Sequence, residues 1–175
     1  MKTRTTTILQ ILKFLALLAI IGFSIEAGSI IVSFIVSFYN PEAAKNIYKG
    51  LDFSKIKEHN VWFYYASGIF LVAISIMKVI VWQNVLMMLS KLNLTDPFQL
   101  KMIKLMERIS YTLIAVWIFG LFYNTIAAYI IKETGLVLLN KIETDSFLFM
   151  AGLVYIISQV FRRGIELQSE NELTV

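Results

Sequence analysis

Apolar residues along this chain fall into four long runs, and the stretches between them carry most of the charge. The first run predicts a helix over about 14–39, after the basic residues Lys2, Arg4 and Lys13. A secretory signal shares such a basic start, but its apolar part is only about 7–15 residues long and ends at small residues suited to cleavage. Here the run continues past Glu26 and Ala27 into Ile30-Ile31-Val32, which predicts an uncleaved helix. At about 1.5 Å per residue it would extend roughly 39 Å, longer than the ~30 Å hydrocarbon core of a bilayer, so a tilt or a projecting end is expected. The second span, about 61–82, opens on Trp62-Phe63-Tyr64-Tyr65, rings suited to the headgroup level. Apolar residues then continue through Val85-Leu86-Met87-Met88-Leu89, which extends that helix beyond the lipid. A third span covers about 109–131 and a fourth about 147–161. The fourth is short, roughly 22 Å, and Gly135-Leu136-Val137-Leu138-Leu139 is expected to lie along the interface before it.

Composition points to the same solvent. Of the 175 residues 58% are hydrophobic and 16% charged, and the mean hydropathy is +0.71. A soluble domain of this length would be about a quarter charged. The expected fold is therefore all-α: a single four-span integral membrane domain over 1–175, built as a four-helix bundle with no soluble domain of appreciable size. The net charge of +4 is spread over the loops, where basic residues serve as topology signals and contacts to anionic lipid.

Orientation follows from the lysines and arginines. With the N-terminus inside, Lys2, Arg4, Lys13, Lys91, Lys101, Lys104, Arg108, Arg162 and Arg163 are cytoplasmic, against Lys45, Lys49, Lys55, Lys57, Lys132 and Lys141 outside. That excess places both termini, the connection 83–108 and the tail 162–175 in the cytoplasm of a multi-pass plasma (inner) membrane protein. In the connection, Asp96 can cap a helix, Pro97 takes its first position and Gln99 completes the box. Lys101, Lys104 and Arg108 then form a basic stripe beside Phe98, Met102 and Leu105, a pattern suited to the inner membrane surface.

Several residues are out of keeping with lipid. Glu26 falls about 18 Å along its helix from Phe14, where an unpaired carboxylate costs several kcal/mol. Gly22, Glu26, Ser29, Ser33 and Ser37 share one helical face, small enough for another helix to approach closely. That face reads either as a packing seam with a neutralised acid or as a proton or substrate site. Lys78 lies about 6 Å from Trp82, which predicts snorkelling to the inner headgroups in preference to a bond with Glu26. Asn124 and Gln159, with Glu26 and Lys78, complete a candidate intramembrane polar set, for which helix cohesion is a sufficient role. Tyr64, Gly68 and Ser75 could line the same weakly polar interior.

Catalytic chemistry is not legible. Cysteine is absent and His59 is the sole histidine, in a loop with Lys57, Glu58 and Asn60. Neither a thiolate metal site nor a zinc site is expected. There is no close acidic pair within the spans, no serine with a histidine at matching depth, no phosphate-cradling glycine loop, and no motif context for nucleic acid. No enzyme activity, cofactor, metal or direct nucleic-acid binding is expected.

The ending Phe161-Arg162-Arg163-Gly164-Ile165-Glu166-Leu167-Gln168-Ser169-Glu170-Asn171-Glu172-Leu173-Thr174-Val175 resembles that of a bacterial membrane protein family, domain of unknown function 2975. The family also has an Asn-Pro-Phe-like turn before the third span, read here as Asp96-Pro97-Phe98. The resemblance implies four spans and, because members are often encoded beside a small helix-turn-helix regulator, a cytosolic partner of that kind. It carries over no catalytic or cofactor residue. The residues themselves are compatible with such a partner: Arg162 and Arg163 border the fourth span, and Glu166, Glu170, Leu173 and Val175 offer an acidic, partly apolar handle. Asp96, Pro97 and Phe98 would face the same side.

Three roles follow as expectations: a non-enzymatic regulatory or sensory component, a small transporter or channel component using Glu26, and a homo-oligomeric structural subunit packed through Ser29, Ser33 and Ser37. A reporter active only outside the cytoplasm should respond when fused within residues 45–59 and stay silent at the C-terminus. Activity at the C-terminus would overturn the orientation.

Overall fold

The computed structural model describes residues 2–40, 56–57, 60–92, 99–135 and 142–172. Four helices account for nearly all of them: α1 (Lys2–Tyr39), α2 (Val61–Lys91), α3 (Leu100–Thr134) and α4 (Asp145–Glu172). All four are long and apolar enough to cross a membrane. Hydrocarbon offers backbone amides no partner, so each segment satisfies its own as a helix.

Local chemistry sets the ends. Asn40 precedes Pro41, a position that disfavours helical backbone, and α1 stops at Tyr39. The Nζ of Lys57 donates to the Phe38 carbonyl (3.2 Å), placing a cation at the negative end of the α1 dipole. The Asn60 side chain accepts from the Trp62 amide (2.8 Å) and caps α2. Gly135 takes φ 67° and its amide bonds to the Ile131 carbonyl, so α3 ends in the left-handed turn that glycine accepts without strain.

The helices outrun the predicted spans. α2 has 31 residues and α3 has 35, about 46 and 52 Å of helix. The connection expected over 83–108 shrinks to residues 92–99. The reason is packing: Val81, Val85 and Met88 of α2 lie against Ile109 and Leu113 of α3 and Ala151 of α4. The stretch from Leu100 to Arg108 is therefore the first part of α3, with Met102, Ile103, Leu105 and Met106 buried, instead of a separate helix on the membrane surface. Of the expected box only Gln99 lies among the described residues. α3 begins at Leu100, and its Met102 and Ile103 amides bond to the Gln99 carbonyl, while the Gln99 side chain makes no cap bond. Asp96, Pro97 and Phe98 lie outside the described residues, as do His59, 136–139 of the interfacial stretch, Leu173 and Val175.

Among the described residues the extensive helix contacts join α1 to α2, α2 to α3, and α3 to α4. The helices thus pack in chain order, as a row with α1 and α4 on its flanks. Tyr64, Leu71 and Ile74 of α2 and Val116, Tyr123, Ala127 and Ile130 of α3 form most of the core, joined by Ile30 of α1. On α1 the large residues Phe14, Leu18, Ile21, Ile25 and Ile35 are exposed, as lipid-facing residues should be.

Two glycines allow the closest approaches. A Cβ on Gly68 would lie 2.0 Å from the Phe34 ring, and one on Gly120 would lie 2.2 Å from the Thr144 methyl. Gly68→Ala should lower unfolding stability in mixed micelles by about 1–3 kcal/mol, the usual cost of overpacking. Adding Phe34→Leu should restore part of the loss. An unaffected single variant would show that α1 and α2 are not in close contact there.

Candidate functional site

The antiparallel helices bring residues distant in sequence to equal depth. On α1 and α2, Phe23 stacks on Trp82 at 6.3 Å, Glu26 meets Lys78 at 3.7 Å, and Ser37 shares a 2.8 Å hydrogen bond with the Tyr64 hydroxyl. Tyr64 also donates to the Phe34 carbonyl at 3.2 Å. The α1–α2 interface is therefore hydroxyl-bonded at the end away from the termini and charged near its middle.

The Glu26–Lys78 pair corrects the snorkelling expectation. Depth measured from Trp82 put Lys78 near a border, but α2 runs on to Lys91, about 20 Å beyond Lys78. Glu26 likewise lies about 20 Å from Tyr39. Both charges are thus well inside the row, and each is the other's counter-ion. Their side chains are 20% (Lys78) and 30% (Glu26) accessible. The Lys78 Nζ is also 5.7 Å from the Phe23 ring centroid, within reach of its negative face.

The serine face of α1 divides. Ser33 and Ser37 are fully buried, Ser29 is half-buried and Gly22 is exposed, with nothing within 4 Å of a Cβ placed on it. Ser33 and Ser37 are thus taken up within the chain, Ser37 against Tyr64 of α2. The hydroxyls of Ser33 and Ser67 are buried without a hydrogen-bond partner among the described residues.

Asn124 and Gln159 do not join Glu26 and Lys78. The Asn124 amide clamps the chain before α4, donating to the Ile142 carbonyl and accepting from the Ile142 amide, both at 2.9 Å. It serves cohesion, using both arms of one side chain. Gln159 lies near the other end, where its amide donates to Glu107 at 3.4 Å and Arg162 donates a short bond to the same carboxylate oxygen. One turn deeper, Ser110 of α3 donates to the Ala151 carbonyl of α4 at 2.9 Å.

Glu107 was missed by sequence reading. It sits inside the basic stripe between Lys104 and Arg108, and that lone acid was the available signal. Its side chain is 19% accessible against 47% for Arg162, so the pair is half-sheltered. Farther along, Arg163 pairs with Glu166 at 2.8 Å across one turn of α4, an exposed contact of small energy. Glu170 is exposed on the same helix. Among the described residues no three His, Cys, Asp or Glu side chains converge as a metal set requires.

The arrangement can therefore hold charge in two places. One is an intramembrane pair between α1 and α2, and the other is a lock between α3 and α4 at the end that carries both termini.

Residues 40–175, well over half of the chain, match the family described as "Protein of unknown function (DUF2975)". No curated protein matches this chain. No solved structure does either.

Lys78→Met should lower unfolding stability by about 2–3 kcal/mol, since it strands a carboxylate in lipid. Glu26→Gln should cost less, because the longer lysine stem can bend toward a headgroup layer. The double variant should recover part of the Lys78→Met loss in the same denaturation series. Strictly additive losses would mean that the two charges do not interact.

Proposed function

The chain belongs to the family described as protein of unknown function (DUF2975), and we propose that it acts as a non-enzymatic regulatory or sensory membrane component with a cytosolic partner. In this reading both termini are cytoplasmic, the membrane is the inner membrane, and the partner is a helix-turn-helix regulator of the kind the family resemblance suggests.

One observation carries the reading. α4 continues unbroken from its membrane-crossing part to Glu172, and Glu107 of α3 grips it through Arg162 where it leaves the apolar zone. A shift of α4 against α3 inside the membrane is then transmitted to the exposed segment bearing Glu166, Leu167 and Glu170. A helix conveys such motion because its backbone hydrogen bonds leave few soft torsions along its length. The acidic, partly apolar surface of that segment suits a basic protein partner.

A second reading, a small transporter or channel component, is favoured by the Glu26–Lys78 pair. Intramembrane ionisable residues commonly mark ion and proton paths. Under it, Glu26→Gln abolishes flux in proteoliposomes while the chain still assembles.

A photocrosslinking residue at position 167 should capture one discrete cytosolic protein in intact cells. Glu107→Gln should weaken that adduct roughly fivefold or more, the lower range of a coupling between distant sites. Capture of lipid alone, or an adduct indifferent to Glu107→Gln, would overturn the regulatory reading.

A further inference from the structure

At the end that carries both termini, a groove of about 530 Å³ runs between α2 and α3. Its α3 wall is set by Lys104, Arg108, Tyr111 and Ala115, whose spacings of four, three and four place them on one helical face. Lys104, Arg108 and Tyr111 are exposed there. Met77 and Ile80 of α2 form the opposite wall.

The groove is graded along its length. Its rim is cationic, and neither Lys104 nor Arg108 has a carboxylate partner among the described residues. Glu107 also reaches the groove, but its charge is countered by Arg162 of α4. Tyr111 follows about one turn deeper, an exposed ring with a polar tip. Deeper still the walls are Met77, Ile80 and Ala115, and Ala115 lies about 10 Å beyond Arg108 along the helix. The small Ala115 side chain keeps the floor low below Tyr111.

Two cations above an apolar floor match the chemistry of one molecule in the surroundings of such a chain. We propose that this groove binds an anionic glycerophospholipid. Its phosphate sits between the Lys104 ammonium and the Arg108 guanidinium, and one acyl chain lies over Met77, Ile80 and Ala115. Lysine offers the phosphate a point charge and arginine a planar fork of donors. The site is defined by side chains of α2 and α3 alone, and it stands whether or not α4 docks a protein.

The test uses the full chain, transferred from micelles containing equal phosphatidylglycerol and phosphatidylcholine into native mass spectrometry. The parent should retain one phosphatidylglycerol in preference to phosphatidylcholine. Lys104→Gln combined with Arg108→Gln should weaken that retention roughly thirtyfold, as two basic residues near an anionic surface imply. Lys101→Gln, an exposed cation outside the groove, should leave it within about twofold on the same scale. Ala115→Trp, which fills the floor and keeps both cations, should also remove it in a chain that remains helical and monodisperse. If Ala115→Trp does not fold, the exposed double variant decides alone.

Equal retention of the two lipids would overturn the proposal, as would a double variant that keeps phosphatidylglycerol. So would displacement by millimolar glycerol phosphate, which would indicate a free-phosphate site. A loss as large for Lys101→Gln would reduce the effect to general attraction at a basic border.

Discussion

Hydrocarbon cannot hydrogen-bond, and that constraint governs what this chain does with every polar group it brings into the membrane. The backbone answers with four helices, each closing its own hydrogen bonds. The side chains have no such uniform solution. Ser75 bonds back to the Leu71 carbonyl, Asn84 to the Ile80 carbonyl, and Thr125 to the Leu121 carbonyl. Where a partner within the same helix does not suffice, the side chain reaches a neighbour, and those reaches hold the row together.

Apolar packing in lipid gives little preference for one helix neighbour over another, since lipid tails are as apolar as leucine. Order in the row comes from shape and from polar contacts. Gly68 admits Phe34, and Gly120 admits Thr144. Ser37 with Tyr64 ties α1 to α2, while Ser110 with Ala151 ties α3 to α4. Between α2 and α3 the ties are aromatic, with Phe70 set edge-on to Phe119 at 5.5 Å and stacked on Phe122 at 5.9 Å. The interfaces thus differ in chemistry, which distinguishes them from one another where hydrophobicity alone would not.

Polar residues also separate by depth, and depth gives each a different energetic meaning. The Asn124 clamp on Ile142 satisfies a stretch of backbone that leaves helical structure before α4 starts at Asp145. The Glu26–Lys78 pair meets the cost of charge far from either border. Glu107 and Arg162 sit at the end that carries both termini, with Arg162 about half exposed, so separating this pair costs less than separating one that is fully buried. A movable contact is better placed there than at mid-depth, where separated charges would have no solvent.

Long unbroken apolar runs were enough to predict an all-helical chain with four helices of membrane-crossing length, because they admit one economical answer in lipid. The sequence by itself also marked Glu26, Ser33 and Ser37 as residues that needed an interior, and Ser33 and Ser37 have one. What it left open was every relation between helices. Lys78 looked like a border residue because its depth was measured to Trp82 within one run. Only the antiparallel alignment of α1 with α2, and the continuation of α2 to Lys91, put it beside Glu26. Asn124 and Gln159 looked like companions of that pair, yet the tertiary structure sends one to Ile142 and the other to Glu107. Glu107 itself gave no periodic signal, being a single acid in a basic stripe whose partner is 55 positions away. Apolar periodicity reports how one segment meets its surroundings. The depth and azimuth at which two segments meet depend on a handful of close contacts, and those exist only once the helices are packed.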